Sequence, residues 1–344
     1  MSGSLSPEAR ALCDAMAAGF PGPGDVEALR AAAGGARPAG PGVAAVRDGD
    51  ASGVPVRVYD PAPGSAGRPL VVFLHGGGWV MCGIGTHDAT CRRLAAGSGA
   101  VVVSVGYRLA PEHPWPAAAD DALTVLLWAR AQAGALGCDP RRVVLAGDSS
   151  GGNLAAVTSL RAPELVAGQL LVYPPLDAAA APTPSPKPKP SRAPKPKPTP
   201  TPTSAATATA AEAPGPGTAS GPVPAWGSGP ASGSGSVSAY GEGYFHTAAH
   251  MAWYWEQYGG DPAHPYVSPL RARDVSRLPR TLLVLADCDP LRDEGLAYAR
   301  RLGAAGVDCT VHLYPGVFHG FLGLPLPAAR TALTAVTAWL RATE

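Results

Sequence analysis

Outside residues 187–197 the 344-residue chain has no lysine; its four lysines are Lys187, Lys189, Lys195 and Lys197. A Walker phosphate loop, a Schiff-base lysine and a Ser-x-x-Lys acylase all need that amine in a folded region, so none is expected here. A charge of one sign is missing too. Lys plus Arg at 27 against Asp plus Glu at 26 leaves a formal +1, which offers no field for nucleic acid or an anionic membrane. No apolar run approaches the ~18–20 residues of a membrane span. Met1–Phe20 carries Glu8 and Asp14 and no unbroken apolar stretch, so a secretory signal is not expected. The six cysteines, at 13, 82, 91, 138, 288 and 309, show no C-x-x-C spacing. Free thiols, a cytoplasmic protein and no metal centre are the expectation.

What is abundant is glycine and proline, 43 and 39 residues, about twice the usual ~12% of a chain. Much of the proline lies in one stretch: Ala181–Pro230 holds 15, with Pro-Lys-Pro-Lys-Pro occurring twice, and a Gly/Ser tail runs from Gly227 to Ser238. Alternating proline removes backbone donors and fixes φ. Residues 178–238 are therefore expected to be a disordered insertion, extended at first and flexible coil at its end. A partner for the 182–202 Pro/Lys segment rests on composition alone. On either side, strand and helix signals alternate. Strands are expected at Val54–Tyr59, Leu70–His75, Val101–Tyr107, Arg142–Gly147, Gln169–Tyr173, Thr281–Ala286 and Cys309–Tyr314. Runs such as Val-Val-Phe-Leu and Leu-Leu-Val-Leu read as strands buried on both faces of a parallel sheet. Helical stretches near 86–97, 117–133, 150–161, 290–304 and 326–342 predict helices on both faces. The amphipathic 7–33 and the aromatic 244–258 fall outside that alternation and are expected to pack together as a cap.

Chemistry is concentrated in a few places. Gly147-Asp148-Ser149-Ser150-Gly151 is a G-x-S-x-G directly after a buried strand and before an Ala-rich helix, the context of a nucleophile elbow. Leu74-His75-Gly76-Gly77-Gly78-Trp79 follows an earlier buried strand. Its glycines let backbone N–H groups converge, as an oxyanion hole requires. The G-x-G-x-x-G spacing of a dinucleotide site is absent there. Of eight histidines, His319 lies just after the last strand signal, where a parallel sheet presents functional groups, and is the candidate base. For the others a core or surface role is favoured. Ala286–Glu294 offers four carboxylates. Asp289 precedes a proline suited to a first helical turn, Asp287 is its rival, and Asp293 and Glu294 read as helix N-terminal or ion-pair residues. Pro290 and Arg292 occupy positions that a calcium loop would give to oxygen ligands and glycine. The order Ser, Asp, His is that of α/β-hydrolases, unlike chymotrypsin or subtilisin.

These residues resemble the hormone-sensitive-lipase-like branch of the α/β-hydrolases, in its Gly-Asp-Ser-x-Gly subgroup. The matching motifs are His-Gly-Gly-Gly-Trp at 75–79, Tyr-Arg-Leu-Ala-Pro-Glu-His-Pro at 107–114 and Gly-Asp-Ser-Ser-Gly-Gly-Asn at 147–153. Tyr-Val-Ser-Pro-Leu at 266–270, Asp-Pro-Leu-Arg-Asp-Glu-Gly at 289–295 and His-Gly-Phe at 319–321 complete them. The resemblance spans most of 54–177 and 240–341. It implies an α/β-hydrolase fold, a mostly parallel central sheet flanked by helices, with a small helical cap. Residues 1–45 and 239–259 would form the cap, and 46–177 with 260–344 the core. It implies a carboxylic-ester hydrolase without metal or cofactor, in which Ser149 is nucleophile, His319 base and Asp289 its partner. N–H donors would come from Gly77, Gly78 and Ser150, and Tyr107–Pro114 would be structural support. The pocket would take short to medium acyl groups, with Trp79 and Tyr244 as candidates for its wall and packing as their competing role. Departures are Gly106 where the family usually has Asp, Asp287 in place of a Glu, a shortened segment after Leu160, and the 178–238 insertion.

The partner expected is a small-molecule ester, with no nucleic acid and no membrane span; whether the chain forms a homodimer is left open. Rival readings are an amide or formamide hydrolase of the same fold, a specialised-metabolite deacylase, and a small-molecule-binding protein without catalysis. The last normally lacks the histidine, which is present here as His319.

Overall fold

The computed structural model describes residues 3–35, 39–180 and 234–342. Eight strands form one sheet: β1 (Ala45–Ala51), β2 (Val54–Asp60), β3 (Arg68–Leu74), β4 (Val101–Val105), β5 (Cys138–Asp148), β6 (Gly168–Val172), β7 (Arg280–Cys288) and β8 (Cys309–Phe318). Their order is β1-β2-β4-β3-β5-β6-β7-β8. The β1–β2 and β2–β4 pairings are antiparallel and the rest parallel. Helices are α1 (Pro7–Gly19), α2 (Val26–Ala33), α3 (Asp88–Ser98), α4 (Ala117–Gln132), α5 (Ser150–Arg161), α6 (Ser234–Tyr240), α7 (Ala248–Tyr258), α8 (Arg292–Ala304) and α9 (Pro327–Arg341). None is long and apolar enough to cross a membrane among the described residues.

The period-two alternation of strand side chains sorts the apolar residues into two cores. Leu70, Val72 and Leu74 of β3 face a core built with α4, α5 and α8. Val71 and Phe73 face the other, with α3, α9 and the buried Ala9 and Cys13 of α1. Burial on both faces is why β3 from Leu70 to Leu74 reads as an unbroken apolar run and β4 as one broken only by Ser104. Between β3 and β5 the strand order reverses, and in such sheets the crevice beyond the carboxyl ends at the reversal is where ligands sit. The His75–Trp79 loop and Ser149 both emerge there.

All seven expected strands are present within a few residues, and an eighth was not foreseen. Strand β1 is an exposed, largely polar edge strand, Ala-Val-Arg-Asp-Gly-Asp-Ala, so it lacks an apolar pattern. It is held by a hairpin whose corner residues Ser52 and Gly53 both have positive φ, 57° and 92°, the backbone that two-residue hairpins favour. Gly106, where the resemblance implies an acid, leaves no hole: its N–H donates to Pro55 O at 2.8 Å, and an added Cβ would lie 3.2 Å from Ile84 Cδ1.

The flexible tail expected through Ser238 is corrected at its end, because 234–240 is helical. Contacts outweigh the weak helix propensity of Gly and Ser. The Ser236 hydroxyl donates to Pro290 O at 2.7 Å, its N–H donates to Asp293 Oδ2 at 2.9 Å, and the Tyr240 hydroxyl accepts from Gly3 N–H at 2.8 Å. The remainder of the insertion, including the 182–202 Pro/Lys segment, lies outside the described residues. Helices α2, α6 and α7 contact loops that follow strand carboxyl ends, and α1 contacts the last residues of β8 itself. Ser6 N–H, at the start of α1, bonds to Gly316 O, and Arg30 of α2 bonds to Val80 O and Ala110 O.

Candidate active site

Ser149 sits in the turn between β5 and α5 at φ 51° and ψ −125°, a strained backbone that lifts its side chain off the sheet. Its N–H bonds to Val172 O at 2.8 Å, which clamps the turn to β6. Glycine is demanded around it. A Cβ on Gly151 would lie 2.0 Å from Leu74 O, and one on Gly147 2.3 Å from Gly151 O. The motif's small residues therefore let α5 begin against the end of β3.

The Ser149 hydroxyl lies 2.9 Å from His319 Nε2, and His319 Nδ1 lies 2.8 Å from Asp289 Oδ2. An ionised carboxylate only accepts, so the Nδ1 proton points at Asp289 and Nε2 is left to receive the serine proton. Asp289 is fully buried and its other oxygen accepts Leu291 N–H at 2.8 Å, which sets the carboxylate's orientation from the turn entering α8. The rival Asp287 turns away to pair with Arg292 at 3.1 Å. Three residues expected to work together are thus in one relay, brought from the ends of β5, β7 and β8.

The expected oxyanion donors occupy the facing loop. Gly77 and Gly78 have φ of 124° and 60°. Side chains there would strike Met81 O at 2.2 Å and the Tyr254 ring at 2.4 Å. Val80 and Met81 N–H groups donate to Gly77 O, closing the loop on itself. Among the described residues none accepts from the N–H groups of Gly77, Gly78 or Ser150. Ser150 is the first residue of α5, where N–H groups have no intrahelical partner. Of the two rings expected as pocket wall, Trp79 is buried and stacks on Tyr258, centroids 4.3 Å apart. Tyr244 is half-buried under the Arg10 guanidinium, 5.0 Å from its ring centre.

Residues that sequence reasoning left to packing also stand at the site. His246 has its ring 5.2 Å from that of His319. Burial, with the imidazoles of His319 and His250 close by, holds it well below the usual imidazole range. Tyr173 lies 4.7 Å from His319 on another side. The aromatic spacing of 244–258 marked a packed helix, not which ring would meet the base.

Glu294 was read as a helix-terminal or ion-pair residue. It does stand in the first turn of α8, where it is buried and accepts the N–H groups of Leu176 and Asp177 at 2.7 and 2.9 Å, tying the loop after β6 to α8. Burial pushes its carboxyl from 4.5 up to about 8. The folded state therefore keeps a proton that the unfolded chain gives up near 4.5, so this group's contribution weakens as pH rises from about 4.5 to about 8. Glu294→Gln, which stays neutral, should melt higher relative to the parent at pH 9 than at pH 5. Calorimetric Tm values at the two pH values check this; a constant difference would count against it.

Comparison with known proteins agrees with this fold. A family model described as the α/β-hydrolase fold matches residues 71–223 and 222–323. The chain is 35% identical over 294 residues to esterase LipI of Mycobacterium tuberculosis, covering 83% of this chain and 77% of the relative. It is 35% identical over 290 residues to the ethyl acetate hydrolase of Pseudomonas putida, covering 80% and 73%. The chain belongs to the α/β-hydrolases, in their hormone-sensitive-lipase-like branch. Among solved structures, the hyperthermophilic esterase of the archaeon Pyrobaculum calidifontis superposes with a TM-score of 0.76 at 34% identity, covering 98% of both chains. This α/β-hydrolase is an ester-hydrolysing enzyme, which sets aside the non-catalytic binding protein.

Proposed function

We propose that Ser149, His319 and Asp289 form a catalytic triad that hydrolyses small carboxylic esters with short to medium acyl chains. The observation that carries the reading is the continuous relay from Ser149 Oγ through both nitrogens of His319 to buried Asp289, at 2.9 and 2.8 Å. His319 takes the hydroxyl proton through Nε2 as Ser149 Oγ attacks the ester carbonyl. Asp289 holds the ring in the tautomer this requires and stabilises the imidazolium. The tetrahedral oxyanion is bound by the N–H groups of Gly77, Gly78 and Ser150, which have no competing acceptor among the described residues. Such donors act on charge that develops in the transition state, each worth about 3–4 kcal/mol. The alcohol leaves with the proton from His319, and water repeats the sequence on the acyl-enzyme. Helices α1, α2, α6 and α7 form the cap over this crevice, with His246 and Tyr254 on its inner side. The acyl range is supported by the Pseudomonas putida relative, which is named for ethyl acetate.

Two measurements test the proposal. A p-nitrophenyl dialkyl phosphate should inactivate the enzyme with one equivalent attached to the peptide carrying Ser149. Among p-nitrophenyl acetate, butyrate, octanoate and palmitate, kcat/KM should peak at or below octanoate and fall by at least ~10-fold at palmitate. A palmitate optimum would overturn the acyl range, and label on any other residue would overturn the nucleophile.

A further inference from the structure

Asp148 directly precedes Ser149 but takes no part in the relay. Its Oδ1 accepts the N–H of Gly76 at 3.0 Å, and His87 Nε2 lies 3.2 Å from the same oxygen and 3.4 Å from Oδ2. The other nitrogen of His87, Nδ1, lies 3.0 Å from Thr86 Oγ1. That hydroxyl donates its single proton to Gly83 O at 2.8 Å and accepts Gly83 N–H at 3.0 Å. Both nitrogens of the His87 ring therefore face acceptors, a carboxylate on one side and a hydroxyl oxygen on the other.

The cluster lies at the base of the loop that presents Gly77 and Gly78. An added Cβ on Gly76 would lie 2.5 Å from Asp148 Oδ2 and 2.9 Å from Asp148 O, so elbow and loop are pressed together at this point. The loop is gripped from its other side as well. The Tyr107 hydroxyl donates to His75 O at 2.6 Å, and the His75 ring stacks on Tyr107 with centroids 4.2 Å apart. Only Asp148, among the described residues, accepts from Gly76 N–H. Burial works to raise the Asp148 carboxyl, but the charge of His87 and its hydrogen bond, with that from Gly76, outweigh it and hold the acid below its usual range. An ionised acceptor is the stronger one for Gly76.

We propose that Asp148 and His87 are positioning residues for oxyanion stabilisation: the Asp148–His87 pair holds Gly76 so that the N–H groups of Gly77 and Gly78 converge with that of Ser150. This rests on the reading of those three groups as the oxyanion donors. A donor that touches only the developing oxyanion affects the transition state and not the bound ester. Loss of its positioning should therefore appear in kcat and leave KM little changed.

The test compares the parent with Asp148→Ala, Asp148→Asn, His87→Leu and His87→Gln, using p-nitrophenyl butyrate and an alkyl trifluoromethyl ketone, which forms a tetrahedral adduct on a nucleophilic serine. Asp148→Ala and His87→Leu should lower kcat by about 10–100-fold, less than deletion of a donor itself, with KM within about threefold. Ketone affinity should fall in step with kcat/KM. Asp148→Asn keeps an acceptor for Gly76, and His87→Gln keeps a donor for Asp148; each should recover most of the lost kcat even where the truncated variant fails to fold. A rise confined to KM, ketone affinity unchanged while kcat falls, or no recovery in the conservative variants would overturn the proposal. A parent enzyme that neither hydrolyses the ester nor binds the ketone would instead overturn the triad reading beneath it.

Discussion

Ser149→Ala should lower kcat for p-nitrophenyl butyrate by at least ~10³-fold with KM little changed. The hydroxyl removed is the atom 2.9 Å from His319 Nε2, and the described structure offers His319 no second nucleophile in that position. Alanine tolerates the elbow's positive φ no worse than serine does, so the fold should persist and the loss should be chemical. His319→Ala should cost a similar factor, and the double variant little more, because residues that act as one unit are not additive. The residual rate would report what the N–H donors of Gly77, Gly78 and Ser150 achieve with water as the nucleophile. Equal rates in parent and Ser149→Ala, measured on protein with the same Tm, would show that hydrolysis proceeds elsewhere.

The second large effect is structural, and Gly151→Ala produces it. The added Cβ would lie 2.0 Å from Leu74 O, 2.5 Å from Leu74 C and 2.6 Å from His75 O. All three are backbone atoms at the carboxyl end of β3, so no side-chain rotation relieves the overlap. Either α5 moves off the sheet or the end of β3 moves with the loop it carries. Overpacking against backbone belongs to the costly end of single substitutions, about 3–5 kcal/mol, or a Tm lowered by roughly 10 °C. Because His75–Gly78 follows Leu74 directly, whatever folds should also lose activity. Gly303→Ala is the internal comparison: Gly303 lies in α8 with no atom within 4 Å of its added Cβ beyond its chain neighbours and own helix backbone, and alanine there should stabilise by about 0.5–1 kcal/mol. Calorimetry of both variants checks the pair; a Gly151→Ala protein as stable as the parent would contradict the close approach of α5 to β3.

The residues legible from sequence are those whose chemistry is local. A buried strand, a Gly-x-Ser-x-Gly turn and a helix follow one another without interruption, so the elbow was visible at 147–151, and the loop of glycines after β3 was visible at 76–78. Strands β2 to β8 were visible because burial on both faces leaves an apolar run and burial chiefly on one face leaves an alternation. Strand β1 was not, since an exposed edge needs only its backbone bonds to β2 and leaves its side chains polar. Helix α6 was not, since its order comes from Pro290, Asp293, Gly3 and Arg292, all distant in the chain.

Asp289 and Asp287 were nearly equivalent on paper, two residues apart beside the same strand. Arg292 claims Asp287 while Leu291 N–H orients Asp289 toward His319; that choice belongs to the turn, not to composition. His87 and Asp148 are 61 residues apart, and His246 meets His319 from a distant segment. Sequence alone was enough to place the α/β class, the Ser149 turn and the histidine after the last strand, because each follows from neighbouring residues and their burial. Which carboxylate meets His319, which acid bonds the glycine loop, and which rings surround His319 were decided only by folding. Hydrogen bonds and close contacts depend on distances between segments, and no periodicity along the chain records those.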